Sequence, residues 1–229
     1  MDLLRDIEQA YAGFAPRHQH HDDLAGGVIV YTMNNLGGAC IFFTSAYYNT
    51  PDSMARPDRA QLFSTYSSLL HQLRRGLPRR FHSTLDALIP QVPILFDESW
   101  PLVPHHVDLL ENNIHVDKIT GRMLGICDWR GAEVGPFGIS LGGLETMLGV
   151  RTTSGDFWRY HPNFEELEHL FWDRLFYYLG GERGVSDVDK ERIRVARLVG
   201  LFLANGFQNG VAATEESEDL RFLGAVVLR

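Results

Sequence analysis

Between Asn113 and Asp128 the chain alternates apolar and polar residues, turns, and comes back, and this stretch constrains the fold more than any other. Ile114 and Val116 have polar neighbours, Lys118 to Gly121 supplies turn formers, and Met123 to Cys127 returns. Alternation of period two on both sides of a Gly-containing turn predicts a β-hairpin. With the turn at 118–121, position 113 falls nearly opposite position 126, which brings Asn113 close to Asp128. A carboxamide oxygen beside a carboxylate is a hard-oxygen pair of the kind Mg²⁺ takes. Asp108 precedes Asn113 by five residues, at the mouth of the same hairpin. There it can accept a proton from a substrate hydroxyl while a metal holds phosphate oxygens. Such a set serves phosphoryl transfer, where positioning and charge stabilisation dominate.

Composition supports a folded body around this hairpin. Of 229 residues, 45% are hydrophobic and 11% aromatic. A domain of this size buries roughly 70–75% of the surface its unfolded chain exposes, and wholesale disorder is excluded. The net charge is −8 with 10 His taken as neutral, and an acidic surface repels phosphate backbones, so nucleic acid is not an expected partner. The basic pairs Arg74-Arg75 and Arg79-Arg80 are too small to line a groove. No apolar run approaches the ~20 residues of a membrane span, and no basic-then-apolar leader opens the chain. No membrane partner is therefore expected. Two cysteines, Cys40 and Cys127, cannot build a disulfide framework or a Cys-rich zinc site, which fits a reducing, cytoplasmic setting.

Leu3, Leu4, Ile7, Tyr11 and Phe14 have helical spacing, with Asp2, Asp6 and Glu8 near the start. Residues 15–25 are polar and end at Gly26-Gly27. Val28 to Met33 is a β-branched run that predicts a buried strand, stopped by Asn34-Asn35-Leu36-Gly37-Gly38. A helix from about Asp58 carries Leu62, Phe63, Tyr66, Leu69, Leu70 and Leu73 on one stripe and ends at Gly76 and Pro78. Residues 76–103 read as Pro-rich and irregular. The last third reads as helical. Phe164, Leu167, Leu170, Phe171, Leu175 and Leu179 share one face. A further helix starts at Ser186, with Asp189 as its capping-box partner and Ile193, Ala196, Val199 and Leu203 as its buried stripe. The expected class is α+β: one or two strands, then a mainly helical body carrying the hairpin.

The hairpin and its flanks resemble the aminoglycoside phosphotransferase and choline-kinase-like family of the protein-kinase-like fold. The family string is approximately H-G-D-L-x-x-x-N-I-L-V-D, a Gly-containing turn, G-I-I-D-W, and a segment like A-E-x-G-P. Here it reads His106-Val107-Asp108-Leu109-Leu110-Glu111-Asn112-Asn113-Ile114-His115-Val116-Asp117, Thr120-Gly121-Arg122, Gly125-Ile126-Cys127-Asp128-Trp129, and Ala132-Glu133-Val134-Gly135-Pro136. The resemblance is densest over residues 102–138, and Phe171-Trp172 and residues 195–202 add to it. It implies a kinase-like carboxy lobe at 37–229, mainly helical with the catalytic hairpin. Residues 1–36 would be the remnant of the amino lobe, one helix and one or two strands, with the hinge. It further implies an ATP- and Mg²⁺-dependent phosphotransferase acting on a small-molecule hydroxyl. Asp108 would be the catalytic base, His106 would orient the loop, and Asn113 and Asp128 would bind magnesium. Backbone groups of Asn34 and Leu36 would contact adenine, with Met33 at the back of the nucleotide pocket.

Three departures bear on activity. Val107 stands where the family has Gly. If that position needs φ > 0, a β-branched residue costs about 1–2 kcal/mol and shifts Asp108. His115 replaces an apolar residue, and a satisfied or exposed His is expected there. Upstream of Asn34 the 33 residues contain no G-x-G-x-x-G and no lysine, since the two lysines are Lys118 and Lys190. On this reading the chain begins after the first strands of the small lobe, and Glu8 lacks the lysine it would pair with, leaving Arg5 or Arg17 as the substitute phosphate contact. A lost phosphate clamp lowers catalysis by ~10³-fold or more. The alternative is therefore a catalytically inactive, truncated pseudokinase that binds a partner, or an incomplete gene product. Apolar surface left by the missing strands would be covered by a homo-oligomer or a partner protein.

Other clusters are read more plainly. His18, His20, His21, Asp22 and Asp23 form a polar group whose close spacing does not preset tetrahedral zinc geometry, so a solvated loop is expected. A metal hydrolase built on His105, His106, Asp108 and His115 leaves Asn113 and Asp128 unexplained. Cys127 reads as a small core thiol. Glu133, Glu145 and Asp156 follow the metal motif, where they would face a cationic substrate or lie on a solvated helix.

Overall fold

The computed structural model describes residues 2–11, 19–24, 28–32, 39–117, 119, 123–152 and 158–229. Helix α1 (Asp2–Ala10) precedes an antiparallel pair, β1 (Gln19–Leu24) and β2 (Val28–Thr32). Helices α2 (Ala39–Asn49), α3 (Arg59–Gly76) and α4 (His82–Leu88) follow, then a 3₁₀ run over Ile89–Phe96. The middle of the chain holds β3 (Leu102–His105), β4 (Ile114–Val116), β5 (Met123–Ile126) and β6 (Glu133–Pro136). A 3₁₀ segment, Ile139–Leu144, leads to α5 (Glu145–Leu148), β7 (Gly149–Arg151) and β8 (Trp158–Tyr160). The chain finishes with α6 (Phe164–Gly180), α7 (Asp187–Asn205), β9 (Phe207–Gln208), β10 (Val211–Ala212) and α8 (Glu218–Val227). The class is α+β, and every sheet among the described residues is a two-stranded antiparallel pair.

Local chemistry sets the helix ends. Asp58 caps α3 by accepting the Gln61 N–H at 2.7 Å, and Arg74 and Arg75 fall in its last turn, where the helix dipole favours cations. Ser186 caps α7 as the spacing predicts. Its Oγ accepts the Asp189 N–H at 3.1 Å and donates to the Asp189 carboxylate at 2.8 Å. Tyr66, Leu70 and Leu73 are the buried residues of α3, and Ile193, Ala196 and Val199 are among those of α7, on the expected stripes.

Two apolar clusters form the core. One joins α1, α2 and α6 to the hairpin through Ile7, Tyr11, Phe42, Trp129 and Phe171. Tyr11 stacks on Phe42 at 4.8 Å and donates its hydroxyl to the Pro104 carbonyl at 2.7 Å, which ties α1 to β3. The other joins α3, α4, α7 and α8 through Leu70, Leu85, Val199, Phe202 and Leu223. In α7, Gly200 lets the helix backbone touch the 3₁₀ segment. A Cβ there would lie 2.0 Å from the Ile139 carbonyl oxygen.

Several expectations need correction. Residues 76–103 are ordered as 3₁₀ turns, α4 and the start of β3, because Phe81, Leu85, Leu88, Val92 and Leu95 are all buried. The polar stretch around His20 and Asp23 is backbone strand, paired with β2. Helices α2 and α8 were not legible as separate elements. Glu145 neither faces a substrate nor sits on a solvated helix. It is fully buried, paired with Arg197, and accepts the Tyr160 hydroxyl at 2.9 Å. Asp156, and with it the proposed hinge residues Met33, Asn34 and Leu36, lies outside the described residues.

Candidate active site

Strands β4 and β5 form the predicted hairpin, with Ile114 opposite Ile126 and His115 opposite Gly125. A bulge between His115 and Val116 moves the register one residue from the predicted one. Asn113 therefore faces Cys127, whose N–H donates to the Asn113 carbonyl at 3.0 Å. Asp128 is the next residue, so the hairpin delivers Asn113 and Asp128 to the same mouth.

The loop from 106 to 113 closes on that mouth through His106 and Asn113. The Asp108 N–H donates to His106 Nδ1 at 3.2 Å. With Nδ1 an acceptor, the neutral ring carries its proton on Nε2, which contacts the Cys127 carbonyl at 2.9 Å. One imidazole thus bridges the Asp108 loop to the end of β5. Burial holds His106 below the usual histidine range, against the pull of the Asp108 and Asp128 carboxylates toward its charged form. Trp129 packs edge-on against it at 5.0 Å and donates its indole N–H to the Ile126 carbonyl at 3.0 Å. Both ring nitrogens are engaged, so His106 is a scaffold and not a metal ligand.

Asn113 closes the loop. Its N–H donates to the Leu110 carbonyl at 3.0 Å, and its Nδ2 donates to the Asp108 carbonyl at 2.8 Å. That fixes the amide with Oδ1 as its acceptor end, which accepts from the Asn112 amide at 3.5 Å. Asn113 is buried, while Asp108 and Asp128 are exposed. Asp128 has φ +57°, in the left-handed region that aspartate tolerates at some cost. Among the described non-glycine residues only Asn209 shares that sign. Val107 therefore needs no positive φ, and the strain its replacement of Gly suggested is absent. His115 is exposed with Nε2 3.2 Å from the Cys127 thiol, and burial raises that thiol above its ordinary range.

On its other side Asp108 lines a cavity of about 450 Å³ that opens where the two core clusters meet. Its walls come from β3 (His105), β6 (Glu133), α3 (Tyr66), the 3₁₀ segment (Ser140), α7 (Asn205) and α8 (Asp219, Phe222). The Ser140 hydroxyl donates to the His106 carbonyl at 3.2 Å, pinning the loop from the cavity side. Three carboxylates, Asp108, Glu133 and Asp219, line the cavity, and among the described residues no Lys or Arg does. Asp219 shares its charge with Arg151 at 3.7 Å. A lining of this sign favours cations. Tyr66, Ser140, Asn205 and Asp219 carry no motif, and only the packing of α3, α7 and α8 brings them here.

Asp128, the Oδ1 of Asn113 and Asp108 offer hard oxygens, and their chemistry fits a small divalent cation. Among the described residues no three His, Cys, Asp or Glu side chains gather as a metal cluster, and the set here is two carboxylates and a carboxamide. No helix among the described residues is long and apolar enough to cross a membrane. No protein-family model matches the chain, and a search of curated proteins finds no match.

Proposed function

We propose that this chain is an aminoglycoside-phosphotransferase-like protein of the protein-kinase-like fold, and that its site transfers a phosphoryl group from ATP to a hydroxyl of a small cationic molecule. The observation that carries this reading is the bridged loop. His106 and Asn113 together lock Asp108 between the mouth of the hairpin and an acid-lined cavity.

Each residue has a role on this reading. The acceptor molecule occupies the cavity with its cationic group near Glu133 and Asp219. Its hydroxyl meets the Asp108 carboxylate, which takes the proton as the oxygen attacks. Asn113 and Asp128 would hold Mg²⁺, which neutralises phosphate charge when bound. His106 fixes the position of Asp108 and stays neutral. Backbone groups of Asn34 and Leu36 would contact the adenine, with Met33 at the back of the pocket.

A second reading is favoured by a specific observation. No lysine precedes Lys118, and no described Lys or Arg lines the cavity. A protein of this kind without a phosphate clamp would bind ligands and turn over slowly or not at all.

The test is phosphoryl transfer from radiolabelled ATP to a panel of amino alcohols and amino sugars, with Asp108→Asn as the control. Label that appears on an acceptor and is lost by at least ~10³-fold in Asp108→Asn supports the kinase reading. Nucleotide binding without transfer in either protein supports the pseudokinase reading.

A further inference from the structure

One wall of the cavity holds two buried polar groups that the proposed chemistry does not use. His105 sits on β3, in register with Glu133 on β6, and Tyr66 comes from α3. They are 4% and 5% exposed, and both line the cavity. Gly135 on β6 leaves room for both. A Cβ at that position would lie 2.7 Å from the Tyr66 hydroxyl and 2.9 Å from His105 Cε1, so any larger residue would displace one or both. His105 Nδ1 is buried with no hydrogen-bond partner, and the Tyr66 hydroxyl stands against the same glycine in the cavity wall. An unmet buried polar group is costly, and proteins keep one where something else completes it.

Both groups are neutral. Burial drives His105 down to about 4 and holds the Tyr66 phenol above its usual range, with Glu133 adding to the latter. Near neutral pH the wall therefore offers the unpartnered Nδ1 of a neutral imidazole and a phenolic O–H. A cation gains little from these groups while three carboxylates lie in the same cavity. An alcohol, which both donates and accepts, completes them.

We propose that Tyr66 and His105 form a specificity subsite that holds a second, unphosphorylated hydroxyl of the molecule bound in the cavity. This rests on the phosphotransferase reading only in calling that hydroxyl unphosphorylated. The cavity is then divided by chemistry. Carboxylates take the cationic end, Asp108 takes the reacting hydroxyl, and the neutral pair selects molecules with another hydroxyl to offer.

The test is calorimetric titration, without nucleotide, of the wild type, Tyr66→Phe and His105→Phe with glucosamine and with ethanolamine. Both probes carry an ammonium and a hydroxyl, but only glucosamine has hydroxyls to spare. The wild type is expected to bind glucosamine more tightly than ethanolamine. Tyr66→Phe, which removes one oxygen and keeps the ring, is expected to lose roughly five- to tenfold of the glucosamine affinity and none of the ethanolamine affinity. The His105 ring nitrogens are expected to shift in NMR spectra of the wild type on adding glucosamine, a readout that does not depend on how His105→Phe folds. Equal glucosamine affinity in wild type and Tyr66→Phe, unmoved His105 resonances, or no glucosamine binding at millimolar concentration would each overturn the subsite. The outcome is separable from the phosphotransferase reading. Asp108→Asn is expected to lose turnover and keep the Tyr66-dependent glucosamine response. Turnover that survives alongside an unresponsive Tyr66→Phe rejects the subsite alone.

Discussion

Asp128 shows most sharply what single residues do in this protein. Its φ of +57° places an L-residue where glycine would be at ease, a strain on the order of 1 kcal/mol. Strain of this kind collects where a side chain is needed for chemistry. Asp128→Gly is therefore expected to melt no lower than the wild type while losing divalent-cation binding. Asp128→Asn is expected to keep the wild-type melting temperature and also bind the cation weakly. Thermal melts with and without Mg²⁺ separate the two effects, and a large destabilisation by Asp128→Gly would count against the strain argument. At this scale the site was half legible. Asp108, Asn113 and Asp128 could be read because a hairpin fixes their spacing along the chain. Tyr66 and Asp219 could not, because nothing in their local sequence distinguishes them from any helix residue.

Between elements, the 3₁₀ segment 139–144 and helix α7 position the cavity. Their backbones meet at Gly200, where a Cβ would come within 2.0 Å of the Ile139 carbonyl. Backbone cannot yield as a flexible side chain does. Gly200→Ala is expected to cost about 3 kcal/mol or more, which for a chain of this length lowers the melting temperature by roughly 10 °C. A smaller loss would mean that the two elements can separate at little cost. The long helices α3 and α7 were legible from stripe and cap, and the hairpin from alternation; α6 was legible as a helix, but Leu167 and Leu170 of its expected apolar face are exposed and no side chain caps its start. Helix α2 was not, because Cys40, Phe42, Phe43, Tyr47 and Tyr48 surround it with apolar groups and give no polar face to read. The three- and two-residue strands of β7 to β10 are too short to leave any period. Residues 76–103 misled because prolines suit 3₁₀ turns as readily as loops, as Pro90 and Pro93 do in the Ile89–Phe96 run.

The whole molecule carries an acid-lined cavity beside buried ionisable groups, and the buried His105 should respond to pH. His105 falls to about 4 through burial, with the neighbouring His106 adding to the shift. Glu133 and Tyr66 also face it across the β3–β6 pair and from α3. The folded pKa lies below the unfolded value of about 6.5, so the unfolded chain takes the proton first. The stabilisation is complete above about pH 6.5 and is lost as pH falls through 6.5 toward 4, at most about 3 kcal/mol in all. Denaturant melts at pH 7 and pH 5 should show the acid loss in the wild type and much less of it in His105→Phe. Glu145 is a second buried ionisable group. Glu145→Gln leaves the Arg197 guanidinium uncompensated and is expected to cost about 3–5 kcal/mol. No sequence pattern announced that pair, because its partners lie on α5 and α7 and meet only through the packing of the helical body.

The central claim is that the mouth of one hairpin gathers oxygens for a divalent ion beside a base that faces a cavity. It is tested most directly by calorimetric titration of ATP into the protein with Mg²⁺ and with EDTA, repeated for Asp128→Asn. The account predicts binding that requires Mg²⁺ and weakens by at least about tenfold in Asp128→Asn. Binding that ignores both the metal and Asp128, or no heat at millimolar nucleotide, would contradict it.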